Sequence, residues 1–169
     1  QYVEDFNWLN HSINPTEIAD DDFRIEVGEG ENKYSMSVLN ISGTSFGSIS
    51  PRAIQAFSAG AKKGGFAHNT GEGSLSKYHQ AGGGDTIWQI STGYFGCRTQ
   101  DGKFDENLFS EKAQLPQVKM IEIKLSQGAK PGHGGMLLGA KVTPEIAETR
   151  NVEPLKDVIS PHKHSEFST

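Results

Sequence analysis

Apolar and polar positions alternate along two stretches of the chain, and both stretches are typical of strands. Residues 34–41 read YSMSVLNI, where the alternation gives way to the adjacent pair Val38 and Leu39, so we predict a strand that enters a core. Residues 119–125 read KMIEIKL and alternate throughout, which predicts a second strand.

The stretch between these strands includes a segment with helical spacing. Residues 53–63 place Ile54, Phe57 and Ala61 on one helical face. Ser50 is a suitable N-cap and is followed by proline, which fits the first helical position, and two glycines come after the last periodic residue. We therefore predict a helix that begins after Ser50 and ends at the glycine pair.

Weaker patterns predict two further helices, a short element and two loops. Residues 104–114 and 143–149 predict helices, the second with Thr143 as N-cap and proline at its first position. Residues 87–90 form a short ordered element whose type stays open, and the glycine-rich stretches 66–85 and 127–139 predict loops. Strands and helices in this alternation are typical of the α/β class.

Composition narrows the functional classes. The chain has 169 residues, 34% of them hydrophobic, with 20 Gly and a net charge of −5, a balance that argues against a nucleic-acid binder. Cys97 is the single cysteine, so an intramolecular disulfide is excluded and a reducing compartment is favoured. No apolar stretch reaches about 20 residues, so we expect a cytoplasmic protein, with a membrane anchor upstream of Gln1 left open.

The glycine-rich loop at 127–139 follows a predicted strand and precedes a predicted helix, and in α/β folds ligands bind at the carboxyl ends of strands. Glycine lets a backbone approach a cofactor closely, although glycine also serves simply to make tight turns. Neither the Walker A pattern nor the dinucleotide fingerprint occurs in the required context.

A series of ordered motifs resembles the flavin domain of the glutamate synthase family, and above all its stand-alone, FMN-binding members. The resemblance covers residues 34–169. The motifs are SFGSIS at 45–50, NTGEG at 69–73, QISTGYFG at 89–96, IEIKLSQGAKPGHGG at 121–135, KVTPEIAETR at 141–150 and ISPHKH at 159–164.

The resemblance implies a (β/α)₈ barrel with FMN at its C-terminal mouth. Such a barrel needs about 250 residues, so we expect residues 34–169 to be its N-terminal part and residues 1–33 an extension. It further implies that reduced FMN gives a hydride to 2-iminoglutarate, formed from 2-oxoglutarate and ammonia, to yield L-glutamate. Electrons would come from ferredoxin or an NAD(P)H-linked subunit, through an iron–sulfur cluster that only the full-length protein would hold.

Five residues are expected at the flavin by this resemblance. Thr44, Ser45 and Phe46 would lie under the ring, in a place where many members have Met-Ser and where a backbone contact would tolerate threonine. Gln89 would bond the flavin pyrimidine. Lys124 would stabilise negative charge on the reduced ring as a catalytic residue, although a solvated strand lysine is the alternative.

The substrate site is expected to hold Lys130 and Arg150 as anchors for 2-oxoglutarate, since arginine binds a carboxylate through two hydrogen bonds. For Arg150 the alternative is a cation at a helix C-terminus. Two departures put 2-oxoglutarate in question: Met136 stands where full glutamate synthases have a glutamine, and Arg52 where they have glutamate.

The remaining candidate residues are three histidines and the single cysteine. His133, His162 and His164 lack a cysteine or carboxylate that would complete a metal site, so we expect polar loop histidines, and Cys97 is expected to be a buried free thiol.

Two other functions stay open. One is a flavin barrel with another substrate or amino donor, and the other is an inactive part-barrel that self-associates through open sheet edges.

Overall fold

The computed structural model describes residues 10, 12–15, 17, 23–130 and 132–165 as a mixed α/β arrangement. Its strands are β1 (Arg24–Val27), β2 (Tyr34–Ser37), β3 (Ala67–Asn69), β4 (Asp85–Ile90), β5 (Val118–Ile123), β6 (Met136–Leu137) and β7 (Val158–Ile159). Its α-helices are α1 (Pro51–Gly64), α2 (Lys77–Ala81), α3 (Glu106–Ala113) and α4 (Pro144–Arg150).

A parallel sheet in the order β3-β4-β5 forms the centre of the described chain. Ile41 adds an isolated parallel bridge to His68, on the free side of β3. The strands β1 and β2 form a separate antiparallel hairpin, as do the short strands β6 and β7. Because the parallel strands run in one direction, the loops that follow them lie along the same edge of the sheet.

The helix α1 has the ends that its sequence predicts. The Ser50 hydroxyl accepts a hydrogen bond from the Ala53 N–H, and the proline after it occupies the first helical position. Gly65 ends the helix in the left-handed conformation, with φ of 66°, and its N–H bonds to the Ala61 carbonyl. Ile54 and Ala61 are buried as predicted, whereas Phe57 is 40% exposed, so the predicted apolar face is only partly covered.

Two apolar clusters stabilise the arrangement. One lies between α4 and the loops at the sheet edge, and the other between the sheet and α3. The first holds Phe46, Phe95, Val142, Ile146, Ala147 and Val158, and the second Leu75, Trp88, Ile90, Tyr94 and Cys97. Phe46 packs against Tyr78 with their ring centroids 5.0 Å apart, which fixes the loop before α1 on α2.

The predicted strand at 34–41 is partly wrong. Only Tyr34–Ser37 is a strand, and it pairs with β1 rather than with the parallel sheet. Val38 and Leu39 are 62% and 66% exposed, so they do not enter a core. The β1–β2 hairpin pairs residues before position 33 with residues after it. The expected boundary at position 33, between an extension and the barrel, remains a prediction.

The predicted loop at 66–85 is also wrong in part, because it contains β3 and α2. The short element at 87–90 is a strand, β4, and the predicted helices at 104–114 and 143–149 correspond to α3 and α4. The predicted strand at 119–125 is confirmed as β5, which begins one residue earlier and ends at Ile123. No helix among the described residues is long and apolar enough to cross a membrane.

Candidate functional site

Loops from four parts of the chain meet at the carboxyl edge of the parallel sheet. They are the segment before α1, the residues after β3, the residues after β5 and the end of α4. Glu72 follows β3, Lys124 and Gln127 follow β5, and Arg150 is the last residue of α4. Side chains distant in sequence therefore come together where α/β folds bind their ligands.

Glu72 is the centre of a polar network. Its Oε2 lies 3.3 Å from Lys124 Nζ and 2.8 Å from Gln127 Nε2, and Lys124 Nζ also donates to Gln127 Oε1 at 3.1 Å. Burial would raise the pKa of Glu72, but the hydrogen bond from Gln127 and the charge of Lys124 outweigh it and hold that pKa below its usual value. Lys124 is thus half-buried in an ion pair and is not a solvated strand lysine.

Arg150 is a buried cation, only 6% exposed. Its Nη2 donates to the Phe46 carbonyl at 3.1 Å, and its guanidinium lies 5.1 Å from the centre of the Phe95 ring. Burial lowers the pKa of Arg150, and the negative charge of Glu72 opposes that shift. Its Nε has no hydrogen-bond partner among the described residues. Arg150 is therefore a cation at a helix C-terminus that is buried instead of solvated.

A cavity of about 120 Å³ opens beside this arginine. Its charged lining residues are Glu72 and Arg150. The remaining lining residues are Ser45, Ser48, Phe95, Gly135, Met136, Leu137, Val158 and Ser160. The cavity therefore offers one cation and one carboxylate to a small ligand.

Glycine permits the close approach of loops around this cavity. A Cβ on Gly73 would lie 2.8 Å from Arg150 Nη2 and 3.0 Å from the Ser45 side chain. A Cβ on Gly135 would lie 2.9 Å from the Ser160 hydroxyl. Since both distances below 3.0 Å are shorter than real Cβ contacts, any larger residue would push the arginine or the loops away from their places.

Gln89 lies on β4 beside a second polar group. Its amide and that of Asn69 both donate to Oε1 of Glu122, and the Asn69 contact measures 2.9 Å. These three residues come from adjacent strands β4, β3 and β5, near their carboxyl ends. Gln89 therefore lies at the expected edge, bonded to a carboxylate that no sequence pattern marks.

Thr44 is held between two buried histidines. Its hydroxyl lies 2.5 Å from His68 Nε2, and its carbonyl accepts a hydrogen bond from His79 Nε2 at 3.0 Å. Its N–H donates to the Asn69 carbonyl at 3.2 Å. Burial, with a smaller contribution from His79, lowers the pKa of His68 to about 4, so this imidazole is neutral at pH 7.

The expected anchors are only partly brought together. Lys130 is exposed and does not line the cavity, whereas Arg150 does. Met136 lines the cavity but is 64% exposed, so it forms part of the rim. Ser45 lines it as well, with its Oγ accepting the Gly73 N–H at 3.2 Å. Arg52 is an exposed residue of the first turn of α1 and lies outside the cavity lining.

The histidines and the cysteine have distinct environments. All three histidines lie outside helices and strands. His133 and His162 are exposed, whereas His164 is buried, with its Nε2 donating to the Lys124 carbonyl at 2.8 Å. No cluster of potential metal ligands occurs in the described part of the chain. Cys97 is a free, fully buried thiol whose pKa burial raises to about 12, which confirms the prediction.

Sequence reasoning missed three groups that the structure places at this edge: Glu72, Gln127 and the pair of histidines around Thr44. Glu72 and Gln127 both stand inside motifs that carry the family resemblance. Glu72 is also the single charged residue of the motif NTGEG at 69–73, a signal that would have drawn attention to it. No periodic signal marks His68 or His79.

Comparison with known proteins identifies one family. A family model described as the conserved region in glutamate synthase matches residues 11–169. The chain is 46% identical over 136 residues to the glutamate synthase large subunit-like protein YerD of Bacillus subtilis (strain 168), covering 80% of this chain and 26% of that protein. It is 38% identical over 129 residues to the archaeal glutamate synthase (NADPH) of Methanocaldococcus jannaschii, covering 76% of this chain and 23% of that protein. The chain thus spans about a quarter of the length of these relatives.

Proposed function

The chain belongs to the glutamate synthase family, and from this premise we propose that it forms part of an FMN-dependent oxidoreductase that produces L-glutamate. The observation that carries the proposal is the joint placement of Ser45, Glu72 and Arg150 around one cavity, with Lys124 bonded to that same Glu72. A buried cation next to a structured polar network, at the carboxyl edge of a parallel sheet, suits a small anionic substrate.

We propose further that residues 34–169 are the N-terminal part of a (β/α)₈ barrel. The parallel order β3-β4-β5, with helices between successive strands, supports this fold, as does the bridge of Ile41 to β3 at the position of a preceding strand. Since a barrel of this type needs about 250 residues, the rest of the barrel would come from outside this chain.

The residues at the sheet edge fit FMN in chemical type. Lys124 supplies a cation, Gln89 an amide, and the loop at Thr44 and Ser45 supplies hydroxyl groups beside close-packed glycines. When bound, reduced FMN would supply the hydride that converts 2-iminoglutarate into L-glutamate. Lys124, the proposed catalytic residue, would stabilise negative charge on the ring and is oriented for this by Glu72 and Gln127.

For the substrate, Arg150 is the proposed carboxylate anchor. Its free Nε and its burial favour an anionic ligand, because a buried guanidinium gains most from a partner that completes its hydrogen bonds. Lys130 would be the second anchor and would have to turn inward from its exposed position. The electron donor would be ferredoxin or an NAD(P)H-linked subunit. Any iron–sulfur cluster would belong to the full-length protein, which we expect to be a homo-oligomer.

The test is glutamate formation by the complete protein that carries this chain, with 2-oxoglutarate, ammonia and chemically reduced FMN. Arg150→Ala should raise the apparent KM for 2-oxoglutarate at least about tenfold, since it removes a charged hydrogen-bond donor. Arg52→Ala is the matched control, because Arg52 is exposed and lies outside the cavity lining. Equal KM values for the two variants would remove Arg150 from the substrate site.

A second candidate keeps the flavin barrel but changes the substrate or the amino donor. Met136 favours it, because a thioether on the cavity rim cannot donate a hydrogen bond to a second carboxylate. Replacing ammonia by methylamine, and 2-oxoglutarate by 2-oxo acids with uncharged side chains, in the same assay would separate the two candidates.

An inactive fragment that self-associates is a third candidate. It is supported by β5, whose Ile123 is 53% exposed at the sheet edge.

A further inference from the structure

Thr44 has already used both polar groups of its backbone. Its N–H donates to the Asn69 carbonyl at 3.2 Å, and its carbonyl accepts from His79 Nε2 at 3.0 Å. A backbone N–H can serve only one strong partner, so it is not available for a ligand. The one hydrogen-bond donor of Thr44 that remains is its hydroxyl, at the half-buried surface of the sheet edge.

The protons on the two imidazoles follow from their partners. His79 Nδ1 accepts from the Ser76 N–H at 3.1 Å and faces the Ser76 hydroxyl at 2.8 Å, so its proton is on Nε2, where it bonds the Thr44 carbonyl. His68 has Thr44 at Nε2 and no partner at Nδ1 among the described residues. A buried N–H without an acceptor is the more costly arrangement, so Nε2 of His68 carries the proton.

This assignment determines what the threonine hydroxyl can do. If His68 Nε2–H donates to Thr44 Oγ1, the hydroxyl oxygen is an acceptor in that contact and its own hydrogen is free. Among the hydrogen bonds of the described residues, the Thr44 hydroxyl takes part in this one alone. The side chain is therefore a preset donor whose oxygen is held at one point.

We propose that Thr44 binds the ligand of this site through its hydroxyl hydrogen, and that His68 is the positioning residue that fixes this donor. The inference rests on the proposed FMN site, and it replaces the expected backbone contact of Thr44 by a side-chain contact. The ligand atom that it recognises is a hydrogen-bond acceptor, such as a carbonyl oxygen or an unprotonated ring nitrogen of a flavin.

The test is FMN binding by the complete protein that carries this chain, followed by quenching of flavin fluorescence and by the visible absorption spectrum of bound FMN. Thr44→Val keeps the branched shape and removes the hydroxyl, so the Kd should rise about three- to tenfold and the flavin absorption should shift. Thr44→Ser is the control that retains a hydroxyl and should bind within about twofold of the wild type.

His68 is tested through its coupling to Thr44. His68→Leu removes the positioning contact and should weaken FMN binding, whereas His68→Gln keeps an N–H at this place and should bind nearly as well as the wild type. In the Thr44→Val background, His68→Leu should add no further loss beyond about twofold, because the two residues act as one unit.

Two results would overturn the inference while leaving the proposed function intact. One is Thr44→Val that binds FMN as tightly as the wild type with an unchanged spectrum, and the other is a pair of losses that multiply in the double variant. Should His68→Leu fail to fold by circular dichroism, the comparison of Thr44→Val with Thr44→Ser decides. A wild-type protein that binds no FMN would instead refute the proposed function and this inference together.

Discussion

Acid should destabilise the fold through the buried His68, beginning near pH 6.5 and so before the carboxylates titrate. The folded state holds the pKa of this imidazole at about 4, against 6.5 in the unfolded chain. Because the unfolded state binds the proton more tightly, the stability is complete above the unfolded pKa and falls as the pH drops towards the folded pKa. Between pH 7.5 and 5.0 this difference amounts to about 2 kcal/mol of unfolding free energy.

The assay is urea unfolding of the chain at pH 7.5 and at pH 5.0, followed by tryptophan fluorescence, to which the fully buried Trp88 contributes. His68→Gln carries an amide that takes up no proton in this range, so its loss between the two pH values should be smaller than that of the wild type by about 2 kcal/mol. The loss that remains would come from His79, whose pKa burial also lowers.

An exposed histidine provides the control for this experiment. His162→Gln removes an imidazole at the surface and should leave the wild-type loss of stability in place. The reasoning is refuted if the wild type is equally stable at the two pH values, or if His68→Gln loses as much stability as the wild type does.

Three further predictions follow from burial and contact distances. Ser50→Ala should lower the unfolding free energy by about 1 kcal/mol, because it removes the N-cap of α1, and an unchanged urea midpoint would contradict that role. Gly73→Ala places a Cβ 2.8 Å from Arg150 Nη2, so it should cost about 1–3 kcal/mol in urea unfolding and raise the apparent KM of the complete protein for its oxo acid. Cys97 is fully buried, so a thiol reagent should react with it only after urea unfolds the chain, and rapid labelling of the native chain would show that this core is open.

The helices were accessible to sequence reasoning because their signals are local. The Ser50 cap with its proline, and Thr143 with its own, lie within four residues of the backbone groups that they satisfy. The pattern of apolar and polar residues did not predict strands whose burial depends on partners distant in the chain. The strand β3 is buried along its whole length yet reads Ala-His-Asn, because its polar side chains bond Thr44 and Glu122 rather than water.

The same difference between local signals and distant contacts applies to the candidate site. Residue type and family resemblance were enough to select Arg150 and Lys124, because a carboxylate anchor and a cation at a flavin are properties of single side chains. The ion pair of Lys124 with Glu72 depends on two loops that are 52 residues apart in the chain. No local pattern encodes such a contact, and for the same reason the exposed position of Lys130 could not be anticipated.

The loop that contains Gly134 and Gly135 has a consequence for how a ligand would enter. A Cβ on Gly134 would overlap the Ser160 carbonyl at 1.5 Å, and the Ser160 N–H bonds the Gly135 carbonyl at 2.9 Å, so these two backbones are interlocked. Any gating motion must therefore spare the glycine pair or carry the β7 segment along with it. Lys130 lies outside this contact and is exposed, with its carbonyl accepting from the His133 N–H at 2.9 Å, so an approach of Lys130 to the cavity would be a separate movement.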